Sequence, residues 1–154
     1  MTLFLQEELF SFDHFDIWDE TGSAVYTVER EFFTWGRTLH VMDAQGRDVA
    51  QVQHIPFSIP SAFSIATAAQ ELELQRNFSF FSRSYSIDSL GWEITGDFTG
   101  HVYEFYRGKR QLAALEKDWP ALYDRYRLEV QDPADALIAL CAVLAIDCCD
   151  EQSR

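Results

Sequence analysis

Residues 136 to 146 read Ala-Leu-Ile-Ala-Leu-Cys-Ala-Val-Leu-Ala-Ile, an unbroken apolar run with no polar stripe at the helical period. Asp132 is a good N-cap, Pro133 suits the first helical position, and Asp135 puts negative charge where the helix dipole favours it, so a helix is predicted over about 133–149. A helix that is hydrophobic on every side is buried in protein or sits in a membrane. This run is well short of the roughly 20 residues needed to span a bilayer, and Asp147 and Asp150 close it, which favours burial. The rest of the chain must therefore supply a wall around the helix.

The preceding sequence has the pattern of such a wall. Asp19-Glu20-Thr21-Gly22 recurs as Asp43-Ala44-Gln45-Gly46, and the same offset of 24 maps Phe15 to Leu39, Ile17 to Val41, Val25 to Val49, Val28 to Val52 and Phe33 to Phe57. Alternation at period two marks half-buried strands, and Asp-x-x-Gly suits a tight reversal, since Asp bonds its own downstream backbone and Gly accepts a positive φ. Two successive β-hairpins are predicted. The alternation continues at Phe63-Ser64-Ile65, Leu72-Glu73-Leu74, Tyr85-Ser86-Ile87, Trp92-Glu93-Ile94, Tyr103-Glu104-Phe105 and Tyr126 to Val130. Turn residues separate these segments at Ser89-Leu90-Gly91, Gly96-Asp97, Thr99-Gly100 and Arg107-Gly108-Lys109-Arg110. Closing the strands into an antiparallel barrel around the helix hides both the helix and the inner sheet face and removes sheet edges. A helix on one open sandwich face would be left half in water. At about 1.5 Å per residue, the segment from Pro133 to Cys149 is roughly 25 Å long, comparable with a barrel of ordinary strands.

No Pro/Ser-rich linker interrupts residues 1–154, and the length suits a single domain. The net charge of −13 argues against nucleic-acid binding, which needs clustered Lys and Arg to neutralise phosphates. Three Cys give no disulfide framework, and the first residues lack the basic flank and apolar length of a signal peptide, so a reducing cytoplasm is the expected compartment.

These residues resemble the LURP-one-related family, which shares the tubby C-terminal-like fold with tubby proteins and phospholipid scramblases. The resemblance runs from about Leu9 to Asp147. It is carried by Phe15-x-Ile17-Trp18-Asp19-Glu20-x-Gly22 with Val25-Tyr26-x-Val28, and by Leu39-x-Val41-x-Asp43-x-x-Gly46 with Val49-Ala50-x-Val52. Further on come Trp92-x-Ile94-x-Gly96-Asp97-Phe98, Tyr103-Glu104-Phe105, Ala113-x-Leu115-x-Lys117, Asp124-x-Tyr126-x-Leu128-x-Val130 and Asp132-Pro133. The resemblance implies a barrel of about twelve strands threaded by a hydrophobic C-terminal helix. It brings no catalytic residue set. Phosphoinositide binding by tubby relatives and lipid movement by scramblases make peripheral phospholipid contact a functional expectation. The family often has a Lys after the Val49-Ala50-x-Val52 block, where this chain has Gln53-His54-Ile55.

Among candidate sites, the one tight basic cluster is Arg107-Gly108-Lys109-Arg110, with Lys117, Arg125 and Arg127 expected on neighbouring strands. Arg107, Lys109, Arg110 and Lys117 are therefore the candidate phosphate or phospholipid-binding residues, since guanidinium forks suit phosphate oxygens; the competing reading is a solvated hairpin tip. The adjacent aromatics of Phe32-Phe33-Thr34-Trp35 and Phe78-Ser79-Phe80-Phe81 place one ring of each pair outside a barrel. Phe32, Phe33, Trp35, Phe80 and Phe81 are thus a candidate interaction patch.

His14, His40, His54 and His101 are scattered singly and show no metal-ligand spacing. The acids from Asp13 to Glu20 miss the calcium-loop pattern. No nucleophile elbow is present. Cys141 and Cys148 share a helix face as apolar fillers, and the acids beside Cys148-Cys149 disfavour a reactive thiolate. The sequence thus predicts a non-catalytic cytoplasmic binding module without cofactor or metal, contacting a protein or a lipid and not nucleic acid. Peripheral phospholipid or phosphoinositide binding is the alternative emphasis, without a membrane span.

Overall fold

The computed structural model describes residues 1–6, 14–31, 37–78, 83–118 and 125–149. Twelve strands precede one helix: β1 (Thr2–Gln6), β2 (His14–Asp19), β3 (Ala24–Glu31), β4 (Thr38–Asp43), β5 (Asp48–His54), β6 (Ala62–Thr67), β7 (Glu71–Phe78), β8 (Arg83–Ile87), β9 (Trp92–Asp97), β10 (Val102–Arg107), β11 (Arg110–Lys117), β12 (Arg125–Val130) and α1 (Ala136–Leu144). Each strand pairs antiparallel with its neighbours in sequence, and β1 closes the barrel on β12 with Leu3 opposite Leu128 and Leu5 opposite Tyr126. Alternation sets the two faces. Leu3, Ile17, Val28, Val41, Val52 and Ile65 all point inward and are fully buried, while the residues between them face outward.

The offset of 24 is structural. β2 starts at 14 and β4 at 38; β3 starts at 24 and β5 at 48. Even the irregularity repeats, since the β2–β3 register shifts between Ile17 and Trp18 and the β4–β5 register between Val41 and Met42. In the first turn Asp19 Oδ1 accepts from the amides of Thr21 (2.9 Å) and Ser23 (3.1 Å); in the second, Asp43 Oδ1 accepts from those of Gln45 and Arg47, both at 2.9 Å. Gly22 (φ 82°) and Gly46 (φ 77°) take the left-handed conformation that closes each reversal. The correspondence ends at Phe57, because β5 stops at His54 and Phe57 lies in the loop beyond it. Phe33, its expected counterpart, lies outside the described residues.

The helix begins where the sequence places it. Asp132 Oδ1 caps the amide of Ala134 at 3.0 Å, Pro133–Asp135 forms a tight 3₁₀ turn, α1 follows, and Ala145–Cys149 widens into a π turn. Every residue from Ala139 to Ile146 is wholly buried, so the segment runs along the barrel axis as the core of the molecule. No helix among the described residues is long and apolar enough to cross a membrane.

Strict up-and-down order gives the barrel two distinct ends. Connections after even-numbered strands lie at the end where the helix enters from β12; those after odd-numbered strands lie at the other, the exit end. The entry-end connections are short and turn-like, while the β5–β6 loop, residues 55–61, is the longest described connection and stands at the exit end.

Candidate functional site

The β5–β6 loop reads Ile55-Pro56-Phe57-Ser58-Ile59-Pro60-Ser61, and residues 49–70 as a whole contain no Asp, Glu, Lys or Arg. Its form is set by its own hydrogen bonds. The Ile55 amide donates to the Ala62 carbonyl (2.9 Å), the Ser58 amide and hydroxyl both donate to the Ile55 carbonyl (3.3 and 2.7 Å), and the Ala62 amide donates to Ser58 Oγ (2.9 Å). Ser58 thus clamps the loop, and the residues on either side of it point away: Phe57 is 89% and Ile59 91% exposed. Phe57 also holds φ 61°, in a region that bulky L residues avoid. The amide of Arg76 donates to the Ser61 carbonyl at 2.9 Å, which brings the end of β7 and Phe78, itself 78% exposed, to the same rim.

The charge around this rim is mixed, since Glu31 ends β3 opposite Thr38 and Glu93 and Asp97 line a hollow with Arg83. Residues 37–40, 51–64, 75–78 and 83–86 contain Arg37, Arg76 and Arg83 and no Asp or Glu. The Arg37 carbonyl accepts from the His54 amide (3.0 Å), the Arg76 guanidinium lies 5.9 Å from the Phe78 ring centre, and Arg83 is the register partner of Phe78.

The predicted basic residues divide between the two ends. Arg107, Lys109 and Arg110 share the tight β10–β11 turn at the entry end, where the Arg107 Nε donates to the Leu90 carbonyl at 3.1 Å. Lys117 lies at the far end of β11, toward the exit end, so it does not join them. Its neighbours across the strand pair, Arg125 and Arg127, are engaged with acids: Arg125 Nε donates to Asp118 at 2.9 Å, and Arg127 lies 3.3 Å from both Glu116 and Glu129. The five predicted patch aromatics, Phe32, Phe33, Trp35, Phe80 and Phe81, lie outside the described residues.

Two polar constellations escaped the sequence reading. Asp147, which closes the apolar run in the sequence, has a side chain only 1% exposed. Its Oδ1 stands 3.0 Å from His101 Nδ1, and its Oδ2 accepts from the Tyr103 hydroxyl at 3.2 Å. His101 comes from the β9–β10 loop with φ 54°, and its ring meets Tyr126 edge-on at 5.5 Å. On the outer wall, His40 lies between two carboxylates, with Nε2 2.9 Å from Glu31 and Nδ1 3.0 Å from Asp48. The bond to Glu31, with a further contribution from Asp48, raises its pKa above the usual 6.5. Neither arrangement has a local signature, since the partners lie 8 to 46 residues apart. No group of three or more potential metal ligands gathers among the described residues. Cys141 is buried in the helix, and burial pushes its thiol up to about 12, consistent with an apolar filler. At the entry end a hollow of about 550 Å³ opens between the β4–β5 and β6–β7 turns and the first turns of the helix, with Val49, Ala69, Leu137 and Ile138 against Arg47 and Gln70.

The structure is a twelve-strand barrel filled by its own C-terminal helix, and the family model of the LURP-one-related proteins matches residues 1–147. The chain belongs to the LURP-one-related family. It is similar to the uncharacterized protein YxjI of Bacillus subtilis (strain 168), at 26% identity over 147 residues that cover 94% of this chain and 91% of the relative. No solved structure matched the chain.

Proposed function

We propose that this LURP-one-related chain is a non-catalytic binding module acting in the cytoplasm, and that its contact surface lies at the exit end of the barrel. The observation that carries this reading is the β5–β6 loop. Phe57 and Ile59 are held almost wholly in water by a loop whose hydrogen bonds fix its shape, whereas burying a side chain of this size is worth about 1.5–3 kcal/mol. Two such side chains on one ordered loop are a store of binding free energy.

Photo-cross-linking in the native cytoplasm tests it. A photoreactive residue at position 57 is expected to give specific adducts that one at position 45, on the opposite end, does not. Equal labelling from both positions overturns the assignment. A second reading places a phosphate-bearing group on Arg107, Lys109 and Arg110, supported by three cations on a single turn. Titration with a soluble inositol phosphate, read by amide shifts at Gly108 and Lys109, separates the two.

A further inference from the structure

We infer that Asp147, His101 and Tyr103 form a pH-gated latch that holds the last turns of the central helix in the barrel, and that deprotonation of His101 loosens them at the exit end. The latch is independent of whatever the β5–β6 loop contacts.

The helix is apolar from Ala136 to Ile146, and Asp147 is the first charge that follows. A carboxylate enclosed as this one is costly unless it is paired and hydrogen-bonded. It lies in the π turn Ala145–Cys149, a helical form found mostly as single turns and frequently at functional sites. The widening falls where the carboxylate meets the barrel wall.

Both partners come from one side of that wall. Tyr103 on β10 is buried between Phe98 and Phe105, with ring centres 5.3 and 5.9 Å away, and its hydroxyl donates to Asp147 Oδ2. His101 closes the β9–β10 connection, where its amide donates to the Phe98 carbonyl at 3.4 Å and the Gly100 amide to Asp97 Oδ1 at 3.0 Å. Its left-handed φ of 54° is strain kept where it holds Nδ1 3.0 Å from Asp147 Oδ1. The His101 side chain is 26% exposed, so water reaches the imidazole while the carboxylate behind it stays dry.

That asymmetry makes His101 the lever. Histidine ordinarily changes charge between about pH 5 and 8. Protonated, His101 puts a full positive charge beside Asp147; deprotonation removes that charge from a place where water does not screen its loss. The closed latch thus binds the proton more tightly than the open one, and by linkage rising pH opens it. The elements around the pair carry other ionisable groups. Arg83 on β8 lies 5.8 Å from the Phe98 ring centre, Asp97 ends β9, Lys117 ends β11, Asp118 pairs with Arg125 of β12, and Tyr126 meets the His101 ring. Asp, Lys, Arg and Tyr ordinarily hold their protonation state across this range. Residues 2–6 of β1 have no ionisable side chain, and His14 on β2 stands on the outer wall beside Glu29.

Amide hydrogen exchange of the full chain, corrected for its intrinsic pH dependence, tests the latch. From about pH 5.5 to about pH 8 the protection of residues 145–147 is expected to fall at least about tenfold, while that of residues 139–142 holds. The fall is expected to track the His101 ring titration followed by NMR. His101→Gln removes the balancing charge and is expected to leave 145–147 weakly protected at both pH values. Asp147→Asn removes the charge that needs balancing and is expected to keep them protected at both. A merely structural contact would weaken in both variants and give no pH step.

An equal fall at 139–142, or a pH step that survives in Asp147→Asn, overturns the latch. So does a His101 ring that titrates with no change at 145–147, or that does not titrate below about pH 8. If thermal melts show that Asp147→Asn does not fold, the match between ring titration and exchange in the unaltered protein decides.

Discussion

The placement of the helix is tested most sharply at Leu140. Its side chain is fully buried at the middle of α1, enclosed by the barrel on all sides, so truncation leaves a void that the closed wall cannot collapse to fill. Leu140→Ala should therefore fall in the upper part of the range for such changes, about 3–5 kcal/mol. For a chain of this length that corresponds to a drop in melting temperature of roughly 6–20 °C. Leu137, half-buried where the helix enters, is the control; Leu137→Ala should cost under about 1.5 kcal/mol, because solvent already reaches the site. Leu140→Asp should not fold at all, since an unpaired carboxylate in this position costs several kcal/mol against a total stability of about 5–15. Urea titrations followed by tryptophan fluorescence and far-UV circular dichroism read all three variants. Equal losses for Leu137→Ala and Leu140→Ala, or a cooperatively melting Leu140→Asp, would refute the central helix.

Three further outcomes follow from local geometry. Because His40 has a raised folded-state pKa, its contribution to stability is fully present below the unfolded value near 6.5 and is lost as pH rises through the folded value. His40→Gln should remove that slope while changing stability by no more than about 1 kcal/mol, its site being partly exposed; a wild-type profile that is flat across this range would contradict the pairing. Gly96→Ala should be severely destabilising, because a Cβ there would lie 2.5 Å from the Val102 carbonyl oxygen and 2.7 Å from Tyr103 Cα. Gly46→Ala meets nothing within 4 Å and should cost only about 1–2 kcal/mol for its left-handed φ, as thermal melts of the two would show. In a variant with Cys148 and Cys149 replaced by Ser, Cys141 should resist alkylation at pH 8 until the chain is unfolded, and rapid labelling of the folded protein would place it outside the barrel.

The barrel was legible because its determinants are periodic. The Asp19 and Asp43 turns, the inward residues of β2 to β5 and the Asp132-Pro133 start of the helix each have a local reason that survives in the fold. The setting of Asp147 was not legible for the opposite reason: what surrounds it is His101 and Tyr103, which only barrel closure brings to it. Lys117 was grouped with Arg110 as a residue of a neighbouring strand, yet the two stand at opposite ends of β11, and a strand of that length separates its ends by about 20 Å. Phe57 was assigned to a strand by the offset of 24, which holds only as far as the hairpins do; the lack of charge over residues 49–70 was the signal that pointed to it.

If the exit-end loop is shaped for contact, the protein should tolerate its removal better than its partner does. Phe57 packs almost nothing and holds a left-handed φ of 61°, which costs an ordinary L residue about 1–2 kcal/mol, whereas Asn adopts that conformation readily through local hydrogen bonding. Phe57→Asn should thus raise stability, by about 0.5–1 kcal/mol, in a urea titration while it weakens binding. The entry-end turns predict the reverse. The Asp43 carboxylate organises its reversal through three hydrogen bonds, from the amides of Gln45 and Arg47 and from the Arg47 side chain, so Asp43→Ala should lower stability and leave exit-end contact intact. Strain retained at an exposed aromatic has no account in the stability of the barrel and does have one in recognition. A Phe57→Asn variant that loses more than 1 kcal/mol would show that the ring supports the fold after all, and the reason for assigning the exit end to binding would go with it.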